Sequence, residues 1–381
     1  MDRNDKMAEV MPERYWHAIE HVNKGTISQL NQLYQTNIRA NLGLWKKHGA
    51  MADGLYGFGK NKAVINIGAG SSLKKNLDVL QRVSDFNLMK KLDDQPFIFV
   101  VCNHSFKPML EQGVYPHFVS LVDGSDVVFD QLCRNVPEKR NNTILLAPLS
   151  ASPKVLKEWD RQGRTILFHV GKADEVQQFL KNETGEDFER YGAEEGGNVT
   201  NTVWVWSMRW LKSSVHMVVG NDLSFPLTAS VDSRRNSYYA DGDYTSNINN
   251  KRDEAKSRMA WMGFEYEFNP ILNKWVVNFK PVATAWQLWT YKTWIEMQIT
   301  MHEKSEQSWH YFNCSEQGIS GMVPKEDSKD VMMNKDNWQL MDQLTPRRWH
   351  TRRLEDAINQ FLQARDMICG ETNIAAPYAI N

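Results

Sequence analysis

The sequence predicts an α/β fold: a mostly parallel sheet with helices on both faces, plus helical additions at the N- and C-terminal ends. Three observations carry this expectation. First, the runs Ala63–Ile67, Phe97–Cys102, Phe118–Val122, Thr143–Ala147 and Thr165–His169 are short and rich in β-branched or aromatic residues. They are apolar without strict alternation, as strands buried on both faces are. Second, segments long enough for helices separate them, which is the spacing of parallel strands joined by crossovers. Third, the first three runs stop at Gly68-Ala69-Gly70, Asn103 and Asp123, small or polar residues at the carboxyl ends where such sheets bind ligands.

Composition narrows the class. The chain has 381 residues, of which 41% are hydrophobic and 24% charged, so it can bury a large core in one or two domains. A net charge of -1 gives no electrostatic reason to expect nucleic acid or an anionic membrane. Cys102, Cys133, Cys314 and Cys369 form no Cys-x-x-Cys pair and have no histidine at ligand spacing, which argues against a structural zinc site or a disulfide framework and fits a reducing compartment. The first residues lead into no apolar segment of a secretory signal, and no apolar window is long enough to span a bilayer. A cytoplasmic protein with no membrane span is the expectation. The 14 tryptophans concentrate between Trp204 and Trp349, and they fit core packing as well as a sugar- or base-stacking surface.

Residues 13–24 and 26–48 read as helices, the second with an apolar stripe through Ile27, Leu30, Leu33, Tyr34, Ile38, Leu42 and Trp45. The strand Ala63–Ile67 follows, then the corner Gly68-Ala69-Gly70-Ser71-Ser72, then a helix marked by Leu73, Leu77 and Leu80. A strand, glycine corner and helix in this order place backbone N–H groups and the positive helix end toward an anion. The glycines allow the sharp turn, and Ser71 or Ser72 can cap the helix or meet a phosphate oxygen. The corner lacks the third glycine of the dinucleotide fingerprint, where Leu73 stands, and it lacks the Gly-Lys-Ser/Thr of a P-loop. By itself it fits a nucleotide site and an ordinary tight turn equally.

Further along, Gly196 to Thr202 repeats the pattern of glycines and hydroxyls opening a helix, Val203–Lys212, and the strand Val215–Val219 exits into Gly220-Asn221-Asp222. Residues 227–257 read as a loop over the site. Phe264–Phe268 and Lys274–Phe279 read as a hairpin, Ala283–Glu303 as a tryptophan-rich helix, and Trp309–Phe312 as a strand leading into Asn313-Cys314-Ser315-Glu316-Gln317-Gly318. A last helix covers roughly Arg348–Met367. The expected division is a helical lead-in over 1–60, an α/β domain over 61–325 with a loop and hairpin insertion at 227–285, and a helical tail over 326–381.

Four motifs stand in one order: Gly68-Ala69-Gly70-Ser71-Ser72-Leu73; Gly113 to Phe118 leading to Asp123; Gly196 to Thr202 with Val219 to Leu223; and Asn313 to Gly318. In this order, over roughly residues 40–322, the chain resembles the 6-hydroxymethylpterin diphosphokinase MptE-like family, which includes the motility accessory factor (Maf) glycosyltransferases. The resemblance implies a Rossmann-like core similar to that of bacterial CMP-sialic-acid sialyltransferases. There are departures. Ser71 stands where the family has proline, Asn198 where it has serine, and Asn221 where relatives often have glutamine. The sialyltransferase relatives place a general-base histidine in the loop after the Gly-x-Asp strand, and residues 223–260 contain none. His104, His302 and His310 are the nearest alternatives in sequence.

By this resemblance Gly68, Gly70, Ser71 and Ser72 hold the nucleotide phosphate and Asn103 reads ribose or base. Asp123 binds ribose hydroxyls or a metal, or caps the segment after it. Gly197, Asn198 and Thr202 form a second anion site, and Asn221, Asn313 and Ser315 complete the cleft. Asp222 is the candidate carboxylate at the chemistry, with Glu316 ordering the site or capping a turn.

Three functions follow as alternatives. The first is a transferase moving a sugar, with a CMP-linked nonulosonic acid favoured, from a nucleotide donor to an acceptor hydroxyl without a metal motif. The second moves diphosphate from ATP to a hydroxymethylpterin and needs Mg²⁺, for which Asp123 and Asp222 would be the ligands. The third is a non-catalytic nucleotide-binding protein. The acceptor, whether protein, glycan, pterin or modified nucleobase, is not specified by any residue pattern.

Overall fold

The computed structural model describes residues 32–136, 142–194, 196–226, 258–305, 307–326 and 333–369. The expected helix over 13–24 and the loop over 227–257 lie outside the described residues.

Residues 32–48 form α1. A regular alternation follows: β1 (Ala63–Ile67), α2 (Leu73–Leu88), β2 (Phe97–Cys102), α3 (Phe106–Glu111), β3 (Phe118–Ser120), β4 (Ile144–Pro148), α4 (Pro153–Arg161), β5 (Ile166–Gly171), α5 (Asp174–Thr184), β6 (Gly192–Ala193), α6 (Val199–Trp206) and β7 (Val215–Val219). The helix starts follow local rules. Ser152 caps α4, accepting from Val155 N, with Pro153 in the first turn where its missing N–H costs nothing. Asn198 caps α6, accepting from Asn201 N at 2.8 Å. After α6 one wide turn, Ser207–Leu211, ends at Lys212 in the left-handed region.

The second half adds β8 (Phe225–Pro226), the long hairpin β9 (Arg258–Asn269) and β10 (Lys274–Ala285), α7 (Trp286–Met301), β11 (His310–Asn313), β12 (Gln317–Gly318), β13 (Met322–Pro324), β14 (Trp338–Leu340), β15 (Trp349–Thr351) and α8 (Leu354–Cys369).

Nine strands form one sheet in the order β15-β11-β7-β1-β2-β3-β4-β5-β6, and every neighbouring pair is parallel. The five residues of β1 are all buried, as expected for the central strand of a sheet covered on both faces. On one face Ile65, Phe99 and Val119 pack against Leu80 and Val83 of α2, Trp159 of α4 and Leu354 of α8. On the other, Val64, Ile98, Val100 and Leu146 pack against Val203, Trp206 and Trp210. Beside β7 and β11, a third cluster joins Trp204, Ile295, Ile299, Trp309, Tyr311 and Trp349. Most of the tryptophans are therefore core.

The chain runs outward from β1 through β2 and β3 in one direction and returns to β1's other side with β7. Connections thus leave β1 and its neighbour β7 in opposite directions, which opens a crevice at their carboxyl ends. A smaller antiparallel sheet, β12-β9-β10-β8, stands next to this crevice.

Both terminal additions pack on the sheet. After residue 325 the expected helix is present as α8, which lies on the face of the sheet with Phe361 5.4 Å from Phe97, and β15 joins the main sheet beside it through Tyr311↔Trp349. Only the helix was legible, since a three-residue strand is too short to show a pattern. The lead-in is also integral. Asn37 Nδ2 of α1 donates to the carbonyls of Gly124 and Ser150, and Asn41 Nδ2 donates to those of Leu149 and Ala151, which fastens α1 onto the loops after β3 and β4. A chain ended at residue 325 would therefore lose Trp349, Leu354 and Ile358 from the core, roughly 2 kcal/mol each. Such a chain is expected to lose its cooperative thermal transition, checked by circular dichroism; a melt as sharp as that of the full chain would refute this.

Candidate functional site

The loops after β1 and β7 lie against each other. Gly68 N donates to Val219 O at 2.8 Å and Gly70 N to Gly220 O at 2.6 Å. A Cβ on Gly68 would stand 2.5 Å from Gly220 O, so only glycine permits this approach. The meeting delivers Asp222 onto the N-terminus of α2. Its carboxylate accepts from Ser72 N at 2.9 Å, Ser71 Oγ at 3.1 Å, Gln317 Nε2 at 3.0 Å, and Ser72 Oγ. Gly70 leaves room for it, since a Cβ there would stand 2.6 Å from Asp222 Cγ. The helix end expected to cradle a phosphate thus holds a protein carboxylate, 150 residues away in sequence. The physical reason is the same in either case: unsatisfied N–H groups and the helix dipole attract an anion.

Asp222 is 2% exposed, and burial pushes its carboxyl up from the ordinary carboxylate range while the hydrogen bonds from Ser72, Gln317 and Ser71 oppose the shift. To act as a base or a metal ligand it would have to release donors on both of its oxygens.

Glu316, in the left-handed region, turns to a different helix. Its Oε1 accepts from Leu354 N at 3.3 Å at the start of α8, and its Oε2 lies 3.9 Å from Arg353 Nε. Burial raises its carboxyl, with Arg353 opposing. The second helix end is also internally capped, by Asn198. Thr200 Oγ1 lies 2.9 Å from both Asn198 Oδ1 and Asn221 Oδ1, and Thr202 Oγ1 donates to Asn198 O. Asn221 N donates to Ser315 Oγ at 3.0 Å, tying the end of β7 to the loop after β11, and Asn313 Nδ2 donates to Ser320 O at 2.8 Å within that loop.

At the end of β2, Asn103 Nδ2 donates to Gln131 Oε1 at 2.6 Å. Beside it, burial holds the His104 imidazole at about 4, with Asp123 pulling the other way. Asp123 is exposed and accepts from Ser125 N at 2.8 Å, the local turn that was one of its two sequence readings.

Asp123 and Asp222 do not fit as a pair around one divalent ion. β3 lies three strands from β7, about 14 Å at the ~4.8 Å strand spacing. His302 and His310 are elsewhere too. His310 is paired with Val215 at the amino end of β7 and shares a 3.0 Å hydrogen bond with His350, while His302 closes α7 against Gln298 O.

The sequence candidates therefore separate into two groups. Gly68, Ser72, Asn103, Asn221, Asp222, Asn313, Ser315, Glu316 and Thr202 are buried and hold the loops in place, whereas Gly70, Ser71, Asp123, Gly197 and Asn198 reach the surface. His104 and Gln317 are partly exposed at these strand ends. Gln317 was not singled out from the sequence, and what would have flagged it is its place in a two-residue strand opposite Glu265.

Residues 36–227 match the model of the family described as 6-hydroxymethylpterin diphosphokinase MptE-like. The chain belongs to the MptE-like family. The match runs from inside α1 to just past β8, so it takes in both loops that build the MptE-like crevice. Among solved structures, the Maf glycosyltransferase from Magnetospirillum magneticum AMB-1 is similar, with a TM-score of 0.46 and 14% identity over 88% of this chain. The alignment spans 42% of that protein. A comparison with curated proteins finds no match. Among the described residues no helix is long and apolar enough to cross a membrane.

Proposed function

We propose that this MptE-like chain is a transferase that holds a nucleotide-activated donor over the carboxyl ends of β1, β2 and β7. It would pass a sugar from that donor to an acceptor hydroxyl, with a CMP-linked nonulosonic acid the first donor to test. The observation that carries this reading is that Gly70, Ser71, His104, Gly197, Asn198 and Gln317 keep some exposed surface on loops at the strand ends where the order of the sheet reverses.

In this reading Asp222 positions rather than reacts, holding α2, Ser71 and Gln317 in one arrangement. An inverting transfer also needs a group to take the acceptor's proton. His104, uncharged at neutral pH and at the end of β2, is the residue offered for it, in the place of the histidine missing after β7. The alternative, Mg²⁺-dependent transfer of diphosphate from ATP to a hydroxymethylpterin, carries the family's name. It is less favoured because its two proposed metal carboxylates end strands that are three apart and one of them is engaged on both oxygens.

Thermal shift with CMP, UDP, GDP and ATP, each with and without Mg²⁺, ranks these functions. A saturating CMP-type ligand is expected to raise the midpoint by roughly 4 °C. Stabilisation by ATP with Mg²⁺ alone would overturn the sugar-transfer proposal. His104→Gln is expected to leave that shift intact and to slow transfer by about 100-fold; an unchanged rate would remove His104 from the chemistry.

A further inference from the structure

Above the α2 N-terminus, side chains from two separate sheets converge. Lys75, in the first turn of α2, and Lys280, on β10, both bind the Glu265 carboxylate of β9, Lys75 Nζ at Oε1 and Lys280 Nζ at Oε2. The register explains the meeting. Glu265 is directly opposite Gln317 of β12, so the two share a face, and Lys280 is opposite Gly263, two residues from Glu265 on that same face. Gln317 in turn donates to Ser71 Oγ at 2.8 Å and to Asp222. The lysine pair is therefore one side chain from those loop residues, on a wall that faces the crevice.

An ordinary solvated ion pair joins one cation to one anion and contributes little. Here two ammonium groups grip the two oxygens of one carboxylate, which is the geometry that an O–P–O edge presents. Both lysines are pulled below the ordinary ammonium range by burial, and Lys280 further by Lys75. Lys75 also feels Glu316, Asp222 and Glu267, which keep it charged.

We propose that Lys75 and Lys280 form an anion site for a phosphate or diphosphate group, with Glu265 as the internal counter-ion that the phosphate replaces. The proposal rests on the donor reading above in assigning that phosphate to a nucleotide. Because the α2 N-terminus is filled by Asp222, the site places the donor's phosphate beside that helix rather than on it. It also makes the β9–β10 hairpin part of the binding wall.

The test titrates the full chain with inorganic pyrophosphate and inorganic phosphate by calorimetry at two ionic strengths. Lys75→Met and Lys280→Met are each expected to weaken pyrophosphate binding by about tenfold. Glu265→Gln is expected to strengthen it several-fold, with a steeper loss in salt. Unchanged pyrophosphate affinity in the double lysine variant, or no binding by either the natural chain or Glu265→Gln, overturns the clamp. The same variants titrated with CMP separate the two ideas. If CMP binds the natural chain but the lysines matter to neither ligand, the clamp falls and the donor proposal stands. If no nucleotide binds while the lysine variants lose pyrophosphate, the donor proposal falls and the clamp stands.

Discussion

Asp222→Ala is expected to lower folding stability by about 3 kcal/mol, one of the largest effects of any single substitution at the site. The variant leaves Ser72 N, on a residue with no exposed surface, without its acceptor, and it opens a void between the β1 and β7 loops. Ser71 and Gln317 lose their common partner and can turn to water or to each other, so they add less. Asp222→Asn separates shape from charge. The amide keeps the volume and one accepting oxygen, and it removes the desolvation that raises the carboxyl, so a loss of about 1 kcal/mol is expected. Urea unfolding followed by tryptophan fluorescence measures both. If the alanine variant unfolds at the same midpoint as the natural chain, the carboxylate is not holding the α2 N-terminus.

The second large effect is acid sensitivity. His117 and His169 are held at about 4 and His216 at about 3 by burial, all below the ordinary imidazole value. The unfolded chain binds a proton at each near pH 6.5, while the folded chain does not. Stability is therefore present above pH 6.5 and falls as pH drops toward 4, by about 1.4 kcal/mol per pH unit for each fully buried ring. His104 and His350, also at about 4, act in the same direction. The raised carboxyls of Asp222, Glu296 and Glu316 act oppositely, because the folded chain keeps their protons at a pH where the unfolded chain has lost them.

With His310, also lowered by burial, six imidazoles stand against three carboxyls, which gives a net loss of stability in acid. His216 shows the cause most directly: its ring stacks on Tyr311 at 5.7 Å, and among the described residues its Nδ1 has no hydrogen-bond partner to receive an added proton. Urea midpoints at pH 7, 6 and 5 should decline in that order. A midpoint that holds or rises refutes the assignment.

Much of the fold could be read because it is written locally. The runs Ala63–Ile67, Phe97–Cys102 and Val215–Val219 are strands within the residues expected, since continuous apolar β-branched segments have few other uses. The hairpin was recognised but drawn too short. The missed end of β10 does not alternate, because Val282, Ala283, Thr284 and Ala285 are all buried. The site was half legible. The motifs marked the right loops, but within each loop residues that bear outward could not be told from those that hold the loop in place. Asn103, Ser72 and Asp222 are chemically suited to either task, and only their partners, Gln131 in one case and each other in the second, show which one they perform.

By itself, then, the sequence determined the α/β class, the strands near the centre of the sheet, the family and the two glycine corners. These depend on hydrophobic period and backbone permissiveness, which act over a few residues. Tertiary structure alone decided that β15 and α1 belong to the sheet domain, that Asp222 fills the end of α2, and that Lys75, Glu265 and Lys280 meet beside it. Each of these joins positions far apart in the chain. A carboxylate's charge shows that it needs a partner, but which partner it gets depends on which strands lie side by side.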